Sequence, residues 1–192
     1  MRRAVFLDRD GVLNRLVAHN GRAVAPRALA EFALLPGVAA AVTALRRAGL
    51  LAVVVTNQPE VARGQLDPME LARMHERLQR AVPVDAIYIC PHDDADGCAC
   101  RKPRPGLLQR ASRDWNLSLR ASFLVGDTEK DLAAGRAAGC ATILIAPAES
   151  SSAEAAADFV VRDLPAAAEL LLEEILGRGH EPMGIPGRAR NA

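Results

Sequence analysis

The sequence predicts an α/β fold with a mainly parallel central sheet, and three observations carry that expectation. Short apolar runs recur along the chain and stop at polar or charged residues. Stretches with helical start and stop signals separate these runs, which is the alternation of βαβ units. Half of the residues are hydrophobic while only 3 % are aromatic, so the core has to be built from Ala, Val and Leu. That composition suits a sheet packed between Ala-rich helices.

Ala4–Leu7 (AVFL) reads as a buried strand ending at Asp8. Val38–Ala48 reads as a helix, opened by Pro36-Gly37 and stopped by Gly49. Leu51–Val55 (LAVVV) is a second strand, ending at Thr56. Asp67 is a good N-cap for a helix over Pro68–Ala81, with Pro in its first turn. Ala86–Ile89 is a third strand and ends at Cys90, and Leu107–Trp115 is a helix. Ser122–Val125 is a fourth strand, ending at Gly126 and followed by a helix over Leu132–Ala138. Ala141–Ile145 and the weaker Phe159–Val161 complete the strands, and Leu164–Leu176 is the last helix. One domain over residues 1–176 is expected, with a disordered tail over 177–192 that is rich in Gly, Pro and Arg.

Charge and termini narrow the partners. Lys and Arg number 24 against 23 Asp and Glu, a formal net charge of +1, which calls for neither nucleic acid nor an anionic membrane. The first apolar run is too short for a signal peptide, and no stretch approaches the roughly 20 apolar residues of a membrane span. The expectation is a soluble, cytoplasmic monomer acting on a small molecule. Neither G-x-x-x-x-G-K-[ST] nor G-x-G-x-x-G occurs, against a nucleotide kinase or dinucleotide enzyme.

In parallel sheets ligands sit beyond the carboxyl ends of the strands. The chemically interesting residues fall there. Asp8 and Asp10 flank the end of the first strand; one carboxylate can attack phosphorus and the other can move a proton. Asp127 and Asp131 stand four residues apart after the fourth strand, oxygen ligands suited to Mg²⁺. Thr56, Asn57 and Gln58 follow the second strand and can bind phosphate oxygens without adding charge. Lys102 offers a point positive charge, and Arg101 a planar fork for a phosphate or sugar oxygen. Each of these motifs alone also fits an ordinary polar turn; their shared position after strands favours chemistry. His19 lies in a polar loop that can border the site, and His75 is expected on a helix surface.

Cys90, His92, Cys98 and Cys100 make a complete tetrahedral shell for Zn²⁺. Three thiolates and an imidazole leave no open position, so the expected role of the zinc loop, residues 90–100, is structural. It leads directly into Arg101 and Lys102 and would hold them over the strand ends. Cys140 has no such company and is expected as a buried apolar thiol.

In this order, DRDGVLN, VVVTNQ, CRKPRPG and LVGDTEKD resemble the four motifs of the haloacid dehalogenase superfamily. The Cys-Pro-His…Cys-x-Cys loop is similar to that of its capless, zinc-containing bacterial branch, which acts on heptose bisphosphates and histidinol phosphate. The resemblance implies a Rossmann-like, HAD-like three-layer sandwich with no large cap domain. It implies a Mg²⁺-dependent phosphomonoesterase for a small phosphorylated sugar or similar metabolite. Asp8 would be the nucleophile and Asp10 the general acid and base. Mg²⁺ would be held by Asp8, the backbone carbonyl of Asp10 and Asp127, with Asp131 in support. Thr56 and Lys102 would touch the transferring phosphoryl group. The run VARG (Val61–Gly64) is similar to the heptose enzymes and adds Arg63 to Asn57, Gln58, Arg101 and His19 as expected substrate contacts. Pro59-Glu60 departs from the Ser-Gly pair usual there, and Thr128 from a common Lys. A non-catalytic, zinc-stabilised binding module is the competing reading from another class.

Overall fold

The computed structural model describes residues 1–146 and 157–177. Its centre is a six-stranded, all-parallel sheet. In chain order the strands are β1 (Arg3–Leu7), β4 (Leu50–Asn57), β5 (Ala86–Cys90), β6 (Phe123–Gly126), β7 (Ala141–Ile145) and β8 (Phe159–Val161). Across the sheet they run β5-β4-β1-β6-β7-β8, which puts β1 in the interior. A small antiparallel hairpin, β2 (Val17–His19) with β3 (Arg22–Val24), follows β1.

Alternation along the strands builds two cores. Val5, Leu7, Ala52, Val54, Val125 and Ile143 point to one face. There they pack on α1 (Val38–Arg47), α3 (Pro68–Ala81) and α6 (Leu164–Gly177). Ala4, Phe6, Leu51, Val53, Val55 and Leu124 point to the other face, against α4 (Gly106–Trp115) and α5 (Glu129–Ala138). Strands buried on both faces read as continuous apolar runs, which is why the sequence marked them. The result is the three-layer α/β sandwich that was expected, with no cap larger than the hairpin among the described residues.

Three elements differ from the sequence reading. The hairpin β2–β3 stands where a polar loop was expected; its residues are mostly exposed and give no apolar alternation. A one-turn helix, α2 (Pro59–Ala62), follows the second long strand. The helix α5 begins at Glu129, a turn before Leu132, because Thr128 and Asp131 form a capping box ahead of the apolar residues. The expected tail over 177–192 lies outside the described residues apart from Gly177, which ends α6. No helix among the described residues is long and apolar enough to cross a membrane.

Candidate active site

The strand ends deliver the acids to one place. Asp8 leaves β1 with its backbone N–H on Val125 O at 2.9 Å, tying it to β6. The chain then folds tightly: Leu13 N and Asn14 N both donate to Arg9 O, and Gly11 N donates to Asn14 O. Gly11 has φ +83, and a Cβ there would fall 2.0 Å from Asp127 Oδ2. The first acidic turn and the one after β6 therefore approach as closely as a missing side chain allows. One oxygen from each of Asp8, Asp127 and Asp131 lies within 4.8 Å of the others.

Lys102 reaches into this cluster from the loop before α4. Its Nζ lies 2.7 Å from Asp8 Oδ1 and 2.5 Å from Asp131 Oδ1, and it donates to Val55 O at 2.9 Å. Asn57 fixes the lysine's backbone from both sides: Lys102 N donates to Asn57 Oδ1 and Asn57 Nδ2 donates to Lys102 O, each at 3.1 Å. Asp131 also accepts from Thr128 N at 3.1 Å and from its hydroxyl, so it caps α5 while pairing with the lysine.

The electrostatics follow from crowding. Burial, the largest cause, pushes the Asp8 pKa up to about 8; Asp131, Asp10 and Asp127 push the same way and Lys102 opposes them. Burial and the Asp131 charge raise Asp127 to about 7. Burial works against the charge of Lys102, but Asp131 and Asp8 outweigh it and hold the lysine's pKa up. The buried Asp127 Oδ1 has no hydrogen-bond partner among the described residues. Several carboxylates share one lysine, and an orphaned carboxylate oxygen sits among them. This donor set fits a hard divalent cation, which takes oxygen ligands and offsets the surplus negative charge.

Asp10 is held separately. Its oxygens accept from Asn14 Nδ2 at 2.9 Å, from Gln58 Nε2 at 2.7 Å and from the guanidinium of Arg9. Arg9 in turn meets His75. The sequence reading missed Arg9, Asn14 and His75, and it put His75 on a helix surface. His75 is in fact only 7 % exposed, on the face of α3 turned to the core. No local signal marks this contact, since its two partners stand 66 residues apart.

A cleft of about 460 Å³ opens beside the acids. It is lined by Asp8, Asp10, Asn57, Arg101, Lys102, Asp127 and Asp131, together with Glu60, Thr128, Lys130 and residues of the hairpin region. The structure gathers most of the expected residues here and sets others apart. Gln58 and Thr56 are fully buried behind the cleft, where Gln58 Nε2 bridges Thr56 Oγ1 and Asp10. Arg63 is engaged by both oxygens of Asp93, at 2.6 and 2.7 Å, and is not among the cleft-lining residues. Nor is His19, which is exposed at the hairpin tip.

The cysteine cluster is assembled as expected. Five of the six pairs of its sulfur and Nδ1 atoms lie 3.2–3.7 Å apart, from Cys100–Cys90 to Cys90–His92, and all four ligand atoms lie within 4.8 Å of one another. The ligands of a tetrahedral zinc with Zn–S near 2.3 Å stand about 3.8 Å apart. All four cysteines are free thiols. The donors are thus gathered as a Cys₃His shell requires. Cys140 is buried alone, and burial raises its thiol pKa to about 12. The loop carries Arg101 inward, where its Nε donates to Asp94 Oδ1 at 2.7 Å and a terminal nitrogen donates to His92 O at 3.3 Å.

A parallel sheet with a paired-aspartate turn, a lysine and a second acidic turn at its carboxyl edge defines a class. The chain belongs to the HAD-like hydrolases and is a phosphatase of that family. The HAD-hydrolase-like family model matches residues 99–167. More particularly, the chain is 37 % identical over 180 residues to D-glycero-beta-D-manno-heptose-1,7-bisphosphate 7-phosphatase of Bordetella bronchiseptica, covering 88 % of this chain and 98 % of that protein. It is 36 % identical to the D-glycero-alpha-D-manno-heptose-1,7-bisphosphate 7-phosphatase of Burkholderia mallei, covering 84 % and 89 %. Among solved structures, the D,D-heptose 1,7-bisphosphate phosphatase of B. bronchiseptica, complexed with magnesium and phosphate, superposes with a TM-score of 0.75 at 35 % identity, over 90 % of this chain and 99 % of that one.

Proposed function

We propose that this phosphatase removes the 7-phosphate of a D-glycero-D-manno-heptose 1,7-bisphosphate by way of a phosphorylated Asp8. The observation that carries the reading is the pairing of Asp8 with Lys102 at 2.7 Å beside Asp127 and Asp131, at the floor of the cleft. The relatives named above supply the substrate.

Asp8 and Asp127, with the backbone carbonyl of Asp10, would hold Mg²⁺, and Asp131 would support it. When bound, the ion neutralises phosphoryl oxygens and surplus carboxylate charge. The chain's own residues do the rest. An Asp8 oxygen attacks phosphorus in line with the leaving alcohol. Lys102 follows the charge as it moves from that carboxylate to the phosphoryl oxygens. Thr56, buried behind the cleft with its hydroxyl accepting from Gln58, backs the Asp10 side of the site. Asp10 protonates the departing sugar oxygen, then takes a proton from the water that hydrolyses the aspartyl-phosphate. Cys90, His92, Cys98 and Cys100 would hold a structural Zn²⁺, which would fix the loop that carries Arg101 and Lys102.

One observation favours a second substrate reading. Glu60 lines the cleft, and its Oε2 is buried with no hydrogen-bond partner among the described residues. A carboxylate there suits a hydroxyl or ammonium donor better than a second phosphate, as in histidinol phosphate. A phosphate-release assay with Mg²⁺ on both heptose bisphosphate anomers, histidinol phosphate and simple sugar phosphates separates the two. The heptose bisphosphate should have the highest kcat/KM, and Asp8→Asn should abolish turnover while leaving the fold intact. Preference for histidinol phosphate would reverse the substrate, and turnover by Asp8→Asn would end the mechanism.

A further inference from the structure

Arg9 stands between the two acids of the first turn, yet it is fully buried and the mechanism above gives it no part. A guanidinium carries five N–H donors and no acceptor, and a buried one needs its charge paired. Its Nε lies 3.2 Å and its Nη2 2.9 Å from each oxygen of Asp10. Its Nη1 lies 3.1 Å from Nε2 of His75 on α3. Its guanidinium carbon sits 5.7 Å from the centroid of the Phe32 ring, a cation–π distance. Because a guanidinium only donates, His75 Nε2 is the acceptor, and the ring is neutral with its proton on Nδ1. Burial and the Arg9 charge favour the same state and lower the His75 pKa to about 4.

We infer that His75 and Phe32 lock Arg9 as a clamp that sets the orientation of the Asp10 carboxylate, which makes Arg9 and His75 positioning residues for proton transfer to the leaving oxygen. This rests on the assignment of Asp10 as the acid and base of the proposed reaction. In the first step an Asp8 oxygen bonds to phosphorus and the P–O bond to the alcohol breaks. The electron pair of that bond takes the proton that Asp10 carries into this step, which leaves the Asp10 carboxylate that Arg9 pairs. The transfer depends on where the Asp10 oxygens point, and the Arg9 edge lies within hydrogen-bond distance of both. Without an acceptor at position 75, Nη1 becomes an unpaired buried donor. The guanidinium then turns toward another partner and takes Asp10 with it.

Leaving-group dependence tests this directly. An alkyl phosphate, such as a sugar phosphate, needs its leaving oxygen protonated; the phenolate of p-nitrophenyl phosphate leaves without help. The ratio of the two kcat/KM values therefore reports proton transfer in the first step. In His75→Leu the alkyl value should fall about tenfold or more while the aryl value changes less than about threefold. His75→Gln keeps an acceptor at similar reach and should restore the alkyl value. If His75→Leu fails to fold in a thermal melt, Arg9→Lys takes its place: it keeps the charge, loses the planar edge, and should show the same selective loss. Equal losses on both substrates, an unchanged alkyl rate, or no rescue by His75→Gln overturns the clamp. Asp8→Asn is assayed alongside, and alkyl-phosphate turnover in that variant overturns the aspartyl-phosphate reading itself.

Discussion

Asp8 and Asp131 share Lys102 with Asp127 beside them, and this crowding governs how Asp8 and Asp127 respond to pH. The folded pKa values of Asp8 and Asp127, about 8 and about 7, stand above the ordinary 3.8. The folded chain without Mg²⁺ thus binds more protons than the unfolded chain between those limits. The contribution of these two acids to stability is full below pH 3.8 and is lost as pH rises through about 7 and 8. His75 works the other way: its folded pKa of about 4 lies below the ordinary 6.5, so its contribution is present above 6.5 and lost as pH falls through 4. Cys98, with a thiol pKa of about 7, titrates in the same range with the opposite sign, so the window from about pH 6.5 to 8 isolates the acids only where zinc occupies the cysteine cluster. There, with zinc retained, the melting temperature of Mg²⁺-free protein should fall by several degrees, and Asp8→Asn should flatten the slope. Saturating Mg²⁺ should also remove the decline. A wild-type melting temperature that rises across this window would contradict the crowding seen around Lys102.

At the scale of elements, the segment from Cys90 to Lys102 joins one end of the sheet to the chemistry. It has few apolar side chains, and its loop residues 91–99 are all at least partly exposed. If zinc binds as proposed, Cys90, His92, Cys98 and Cys100 supply most of its order, beside the ion pairs Arg63–Asp93 and Arg101–Asp94. Zinc binding in small peptides is worth about 10–16 kcal/mol, far more than burial offers here. Cys98→Ser should therefore reduce bound zinc in elemental analysis, lower the melting temperature, and cut kcat about tenfold or more as Lys102 loses its fixed approach. Full activity in a zinc-free variant would show that Asn57 alone suffices to hold the lysine. Elements also differ in how legible they were. The central strands carry continuous apolar runs, Ala4–Leu7 and Leu50–Val55 among them, and Asp67-Pro68 marks the start of α3 by capping chemistry. The hairpin β2–β3 lacks an apolar pattern, but its Asn20-Gly21 turn, with φ of 51 and 74, is a hairpin signal in the sequence itself. The early start of α5 was likewise written in Thr128 and Asp131, whose capping box is polar and escapes a search for apolar periodicity.

For the whole molecule, the sheet is the scaffold that brings four separate loops to one edge. Phe6, the last residue but one of β1, pairs with Val53 of β4 and Leu124 of β6 and is fully buried. Phe6→Ala should cost about 3–5 kcal/mol in urea unfolding. A loss below about 1 kcal/mol would mean that the second core repacks easily.

What the chain's residues determined alone was the class and most of the residues that the structure gathers at the candidate site. Apolar runs show where strands end, and in a parallel sheet the next residues lie at the carboxyl edge; Asp8 and Asp127 stand just after β1 and β6, whereas Thr56 and Cys90 fall within the last residues of β4 and β5. Only the tertiary structure decided how the site is wired: that Asn57 grips the lysine backbone, that Gln58 faces Asp10, that Arg63 pairs with Asp93, and that a buried histidine meets Arg9. The reason is physical. Strand ends and caps are set by neighbours in sequence, whereas a buried polar group takes whichever partner the packing brings within about 3 Å, and nothing local encodes that partner.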